Sequence, residues 1–294
     1  MISILIPIYN YDALPLVQEL HSQCMEVALD FEIICIDDAS TAFTSSNSTI
    51  STLSNCSYEL LPKNIGRSQI RNQLATKGAY DWFLFLDCDT FPQSSTFIAT
   101  YWNQIKKNSL KAVFGGLLYS SLQPANDQLL RWKYGHKREA VSVENRKKQP
   151  YTTSFVSNFL ILKSVFCASP FSDEITTYGY EDYVFIQNLK EKNIAIEQIE
   201  NPVFHQNLES SLQFLSKTKE ALQTLFYLNQ NNKAIVTKIT RTYHILKKIR
   251  LVALTSFVYQ KTAPLLERNL LSKKPSLFAF DLYKIGYFCY LNHQ

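Results

Sequence analysis

The sequence predicts an α/β protein built on a doubly wound, mostly parallel sheet and followed by a C-terminal helical region. Three observations lead there. Compact β-branched apolar runs alternate with helix-period segments over residues 1–90, the pattern of βαβ units. Each run stops in polar or acidic residues, as strands do at one edge of a parallel sheet. From Ser210 onward the apolar spacing is helical, at Leu212, Leu215, Leu222, Leu225 and Leu228. The composition agrees: 46% hydrophobic and only 19% charged residues in a chain of 294 exclude disorder, and seven Gly and ten Pro exclude collagen-like and low-complexity classes.

Taken in order, residues 2–6 are an unbroken apolar run ended by Pro7, a strand buried on both faces. Residues 13–29, with Pro15 near the start and Leu16, Leu20 and Val27 on one face, read as a helix. Residues 31–36 form a second buried strand stopped by Asp37-Asp38, residues 40–52 a Ser/Thr-rich loop or weak helix, and residues 58–61 a third strand. Residues 65–77 read as a helix with Gly78 as C-cap, and Trp82–Leu86 as a fourth strand closed by Asp87-Cys88-Asp89. Residues 97–110 are expected to be a helix, 112–118 one strand containing Gly115-Gly116, and the basic stretch 119–150 a surface segment or mobile loop. Strand character returns at 155–162, a helix at 183–192, and a last short strand at 194–199 before Pro202-Val-Phe-His205.

The six cysteines include no CxxC pair and several sit in apolar runs, so they read as reduced core thiols of a cytoplasmic protein. The opening MISILIPIYN has no basic n-region and meets a Pro, so it reads as a strand and not a signal peptide. No run reaches the ~18 apolar residues that span a bilayer. Charge is unevenly placed: from Lys233 onward eleven Lys or Arg face only Glu267 and Asp281, a net of +9, whereas residues 1–232 carry 19 basic and 23 acidic groups. Lys and Arg interleaved with Phe, Tyr and Leu in residues 235–294 fit either an anionic membrane surface or a helical subdomain packed on the core with solvated lysines. No recognition motif accompanies this charge, and nucleic acid is not expected as a partner.

The chemistry concentrates at the strand ends. Asp37, Asp38, Asp87 and Asp89 converge on one edge, where they repel one another and any phosphate unless a divalent cation sits among them. Asp87 and Asp89 lie at i and i+2 of an extended segment and so share a side. Their hard oxygens suit Mg²⁺ or Mn²⁺, although a strand end capped by two solvated aspartates would look the same. Glu181-Asp182 opens a helix, where acids are also favoured by the helix dipole.

The set IPIYN (6–10), CIDDAST (35–41), NIGRSQIRNQ (64–73), DCDT (87–90) and YGYED (178–182), in that order, resembles the family 2 glycosyltransferases of GT-A fold, whose sheet is Rossmann-like. The resemblance covers residues 1–210. It implies inverting transfer from a nucleotide-sugar with Mn²⁺ or Mg²⁺ as cofactor. On the nucleotide side it implies Pro7, Tyr9, Asn10, Asp37, Asp38, Asn64, Gly66, Arg71, Asn72 and Asp87, with Asp38 toward the uracil imide. It makes Asp89 and His205 metal ligands, Asp182 the catalytic base and Glu181 an acceptor contact. Asn158, a polar residue in an apolar strand, is either an acceptor contact or a buried amide satisfied by backbone. Where the family pattern often has Gly-Gly before Glu-Asp, this chain has Gly179-Tyr180.

The expected organisation is a GT-A catalytic domain over residues 1–210, its nucleotide-sugar half at 1–90 and its acceptor half at 91–210, then a basic-aromatic helical region at 211–294. The expected activity moves a hexose or N-acetylhexosamine from a UDP-sugar to a saccharide or lipid-linked saccharide hydroxyl, in bacterial surface-polysaccharide assembly. It would take place in the cytoplasm or peripherally on the inner face of the cytoplasmic membrane. The alternatives are a nucleotidyltransferase, which would usually show a Gly-rich phosphate loop near the first strand, and an inactive carbohydrate- or membrane-binding protein, which intact Asp87, Asp89 and Asp182 argue against.

Overall fold

The computed structural model describes residues 1–107, 110–175, 177–231 and 235–294. In chain order the elements begin β1 (Ile2–Ile8), α1 (Leu14–Val27), β2 (Phe31–Asp37), α2 (Thr44–Ser48), β3 (Cys56–Leu60), α3 (Arg67–Lys77), β4 (Trp82–Leu86), β5 (Thr90–Pro92) and α4 (Phe97–Ile105). They continue β6 (Ala112–Phe114), β7 (Leu117–Leu118), α5 (Leu129–Tyr134), α6 (Val143–Lys148), α7 (Pro150–Thr153), β8 (Asn158–Leu162), α8 (Lys163–Ala168), α9 (Glu181–Glu191), β9 (Ile196–Gln198) and β10 (Val203–His205). The last helices are α10 (Ser211–Gln230), α11 (Lys238–Lys248), α12 (Val252–Leu270) and α13 (Leu277–Leu291).

The chain divides into two compact units. The first, residues 1–120, 138–176 and 181–207, holds a seven-stranded sheet of order β3-β2-β1-β4-β8-β6-β9 and a small sheet of order β5-β10-β7. β1 pairs in parallel with β2 and β4, and β2 with β3, in keeping with the βαβ reading. The large sheet is nevertheless mixed, because β8 runs antiparallel to both β4 and β6. That direction matters for the site: β8 starts at Asn158 opposite Leu86, so its first residues lie at the edge where β4 ends. Leu5, Phe83, Phe85 and Phe159 from these strands pack with Phe166, Phe171 and Phe185, and Phe171 stacks on Phe185 at 4.5 Å between centroids.

Three expectations are corrected here. The run 112–118 is two strands in two sheets, broken at Gly115-Gly116. Gly116 has φ of +107°, and a Cβ there would stand 2.8 Å from Arg146 Nη2. Arg146 is the reason the break is stable. Buried, it donates from Nε to Val141 O, from Nη1 to Phe114 O and Gln198 Oε1, and from Nη2 to Gly115 O and Ile199 O, all within 3.3 Å. The basic stretch 119–150 is therefore not simply a surface loop: it forms α5, a π-type turn over Gly135–Glu139 and α6, and Arg146 within it is buried. The helix expected over 97–110 ends at Ile105, and residues 108 and 109 lie outside the described residues.

The second unit, residues 121–137, 177–180 and 208–294, is helical. α10 opens on a capping box in which the Ser210 hydroxyl accepts from Gln213 N, and α11 on a similar pair, Thr237 and Thr240. α12 and α13 pack through Tyr259, Tyr283 and Tyr287. Among the described residues no helix is long and apolar enough to cross a membrane.

Candidate active site

The edge beyond β1, β2 and β4 is organised by carboxylates that first serve the backbone. Asp37, fully buried, accepts from Ser40 N at 2.8 Å through Oδ1 and from the Tyr58 hydroxyl at 2.8 Å through Oδ2. Asp38 accepts from Ile65 N (2.6 Å) and Gly66 N (3.0 Å), while the Asn64 side chain donates to Asp38 O. Burial raises the Asp38 carboxyl above its ordinary value against the opposing pull of those two amides. Asp38 thus clamps the turn in which Gly66, at φ of +83°, launches α3. Asn10, itself left-handed at φ of 49°, accepts from the N–H groups of Thr41 and Ala42 and joins the loops after β1 and β2. Pro7 is half-buried in β1 and Tyr9 is exposed beyond it.

α3 supplies two arginines one turn apart. Arg71, buried, donates from Nη2 to Asp87 Oδ1 at 2.7 Å, and its Nη1 lies 3.8 Å from Asp182 Oδ1. Arg67, half exposed, donates from Nε to Glu181 Oε1 at 2.5 Å and from Nη2 to Asp87 Oδ2 at 3.4 Å. Asp87 is consequently held below the usual carboxylate range: burial pushes it up, but Arg71 and Arg67 outweigh that. Asp182 moves the other way, raised chiefly by burial and further by Glu181 and Asp87, against the opposing Arg71 charge. One oxygen, Oδ2, accepts from Val156 N at 3.1 Å; the other, Oδ1, has no hydrogen-bond partner.

His205 reaches Asp89 because β10 pairs antiparallel with β5, placing His205 opposite Thr90. Its Nε2 lies 3.6 Å from Asp89 Oδ2, and its ring stacks on Tyr119. A carboxylate and an imidazole at this separation can both touch one divalent ion at ordinary bond lengths of about 2.0–2.3 Å. Burial, and after it the charge of Asp89, raise the Tyr11 hydroxyl. Among the described residues no third His, Cys, Asp or Glu completes a protein-only cage, so the pair fits an ion that takes its remaining ligands from elsewhere.

Two expected contacts are placed differently. Asn158 is fully buried, its amide donating to Gly116 O and Asn201 O at 2.9 Å each and accepting from the Tyr101 hydroxyl at 2.7 Å. It is the buried amide satisfied within the protein and is not presented to an acceptor. The Asn72 amide exchanges two bonds of 3.0 Å with the backbone of Phe171 and anchors that segment to α3. Arg67 went unread in the sequence, although its i, i+4 spacing to Arg71 put both on one helix face. At the Gly179-Tyr180 departure both residues have positive φ, 98° and 67°.

Residues 3–167 match the family model described as Glycosyl transferase family 2. The chain belongs to this family. It is a glycosyltransferase, and solved structures share its fold. One is the mannosyltransferase PcManGT from Pyrobaculum calidifontis in complex with GDP-Man and Mn²⁺, with 13% identity over 78% of this chain and 64% of that one, at TM-score 0.51. Another is glucosyl-3-phosphoglycerate synthase from Mycobacterium tuberculosis with Mn²⁺, UDP and glucosyl-3-phosphoglycerate, with 17% identity over 81% of each chain at TM-score 0.53. A third is S. aureus TarS 1-349 with UDP-GlcNAc, with 16% identity over all of this chain and 92% of that one, at TM-score 0.53. No curated protein sequence matches the chain.

Proposed function

We propose that this family 2 glycosyltransferase transfers a hexose or N-acetylhexosamine from a UDP-sugar, with inversion, to the hydroxyl of a saccharide or lipid-linked saccharide. The setting proposed is bacterial surface-polysaccharide assembly at the cytoplasmic side of the membrane. The observation that carries the chemistry is Asp182: a carboxylate raised by burial, fixed through Oδ2 to Val156 N, with Oδ1 buried and without a hydrogen-bond partner, and tied through Arg71 to Asp87. In a single displacement the acceptor oxygen bonds to the anomeric carbon as the bond to the diphosphate oxygen breaks, and the electron pair leaves on the nucleoside diphosphate. Asp182 takes the acceptor proton. Its raised pKa makes it a stronger base than an exposed aspartate. Glu181, oriented by Arg67, contacts the acceptor.

On the donor side, the loops tied by Asn10, Asp37 and Asp38 receive the nucleoside, and Arg67 and Arg71 add positive charge near Asp87. Asp89 and His205 would hold Mn²⁺ or Mg²⁺, which would supply neutralisation of the diphosphate charge and stabilisation of the leaving group. Complexes of the fold relatives with Mn²⁺, UDP and UDP-GlcNAc support this reading, while the GDP-Man complex keeps the guanosine donors in the test.

The experiment is Asp182→Asn, with donor affinity measured by calorimetry against UDP- and GDP-sugars beside the transfer rate. Donor affinity should stay near wild type while transfer falls by about 10²–10⁴-fold. Full activity would remove Asp182 from the mechanism, and a parallel loss of donor affinity would assign it to the donor site.

A further inference from the structure

The solvent side of α11 and α12 is built the wrong way round for a helix that meets only water. α12 turns Ser256 and Tyr259 inward, and its opposite face presents Leu254, Phe257, Val258 and Leu265 at i, i+3, i+4 and i+11. Phe257 is 58% exposed and Leu265 67%. α11 buries only Thr240 among its residues and leaves Ile245 62% exposed, with Ile249 and Leu251 exposed in the turn that follows. So many large apolar side chains in one run of chain exceed the scattered exposure expected of a monomer surface.

The charge in the same stretch is of one sign. Lys238, Arg241, Lys247, Lys248, Arg250 and Lys261 lie between residues 235 and 266, which contain no Asp or Glu. Arg241, Ile245 and Lys248 fall on one face of α11, at i, i+4 and i+7, with Ile249 just past its end, and the Lys261 ammonium sits over the Phe257 ring at 5.7 Å. Among the described residues none of the six cations pairs with an acid, although elsewhere in this unit Lys217 and Lys219 pair with Glu209 and Glu267.

We infer that the α11–α12 face is an interfacial membrane-docking surface: Ile245, Ile249, Leu254, Phe257 and Leu265 enter the acyl boundary while the surrounding Lys and Arg meet anionic headgroups. The charge pattern selects this occupant over a second copy of the chain. A two-fold self-interface would set the same patch against itself and bring six cations against six with no acid between them. An anionic bilayer supplies the missing charge and an apolar layer at the right depth together. The inference stands on this unit alone and does not depend on the proposed sugar, acceptor or catalytic base.

The test is co-sedimentation of the full-length protein with vesicles of phosphatidylcholine alone or mixed with phosphatidylglycerol, at low and high salt. Two variants accompany it, Leu254→Ser/Phe257→Ser and Lys247→Gln/Lys248→Gln/Arg250→Gln, each checked for folding by circular dichroism. The protein should bind only the anionic vesicles, and salt should weaken binding. The triple Gln variant should lose about 100-fold in partitioning, from three cations near the headgroups, and the Ser variant should lose binding at every salt concentration. These changes replace exposed side chains, so folding should be unaffected. Equal binding to both vesicle types, no binding to either, or wild-type binding by both variants would overturn the inference. So would sedimentation velocity showing a dimer that the Ser variant dissolves while vesicle binding persists.

Discussion

Replacing Arg71 with Met isolates what one buried cation does for the site. The guanidinium side chain is 1% exposed, 2.7 Å from Asp87 and 3.8 Å from Asp182. Without it two neighbouring carboxylates face a gap that water reaches poorly. A unit-charge pair at that range is worth about 4 kcal/mol at an effective dielectric of ~20, and deleting one member of a buried pair costs about 3–5 kcal/mol. Arg67 is too solvated at 45% exposure, and too far from Asp87 at 3.4 Å, to take its place. Met keeps an apolar stem against the Phe171 ring, over which the guanidinium now lies, so lost packing is the smaller part. The expected loss is about 3–5 kcal/mol at neutral pH, read by urea denaturation.

The pH dependence separates charge from shape. In the wild type Asp87 titrates below its ordinary value, so its contribution is present above the unfolded-state pKa and is lost as pH falls through the lower folded value. In Arg71→Met burial acts on Asp87 and Asp182 unopposed by that guanidinium, both are raised, and protonation relieves them. The gap between the two proteins should be widest near neutral pH and close as the medium becomes acid. Adding Asp87→Asn and Asp182→Asn to the variant should recover most of the loss at neutral pH. A gap that ignores pH, or carboxamides that recover nothing, would show that Arg71 acts through shape and refute the electrostatic account.

Two further outcomes probe other parts of the site. Asp89→Ala should abolish the Mn²⁺ dependence of UDP binding, and His205→Ala should weaken it, while circular dichroism stays unchanged; calorimetry with and without Mn²⁺ reads both, and an undiminished metal dependence in Asp89→Ala would sink the ligand assignment. Asn158→Ala should cost about 3 kcal/mol or more in stability, because the Tyr101 hydroxyl, Gly116 O and Asn201 O all lose a buried partner; the Michaelis constant for the acceptor should not change, and a raised constant with unchanged stability would return Asn158 to the acceptor site.

What could be read in the sequence follows from what each signal encodes. β1, β2 and β4 are covered on both faces, so their residues form continuous apolar runs, and the acids that follow them mark one edge whatever the remainder of the sheet does. Strand direction has no such signature. Residues 158–162 look like any buried strand, and nothing in them says that β8 runs against β4. Arg146 misleads for a related reason. In ENRKKQP it resembles its solvated neighbours, yet it alone turns inward and holds the backbone where the chain passes from one sheet to the other.

The same logic divides the site residues. Asp89 and His205 were named only through the family resemblance, because a strand-end carboxylate and a lone imidazole each have structural uses too, and the β5–β10 pairing brings them together. Amides are ambiguous, since Asn158 and Asn72 can face a ligand or tie backbone with equal ease, and both tie backbone. The arginines show where motif order stops being informative. GRSQIR announces a helix face with two cations, but the partners of that face lie 16 residues along the chain at Asp87 and 114 residues along it at Glu181. Only the sheet topology, which carries α3 past the end of β4 and sets the start of β8 beside it, turns two acidic motifs far apart in sequence into one ion network. Asp87 and Asp182 therefore share a counter-ion, and a change in the charge of one is felt by the other.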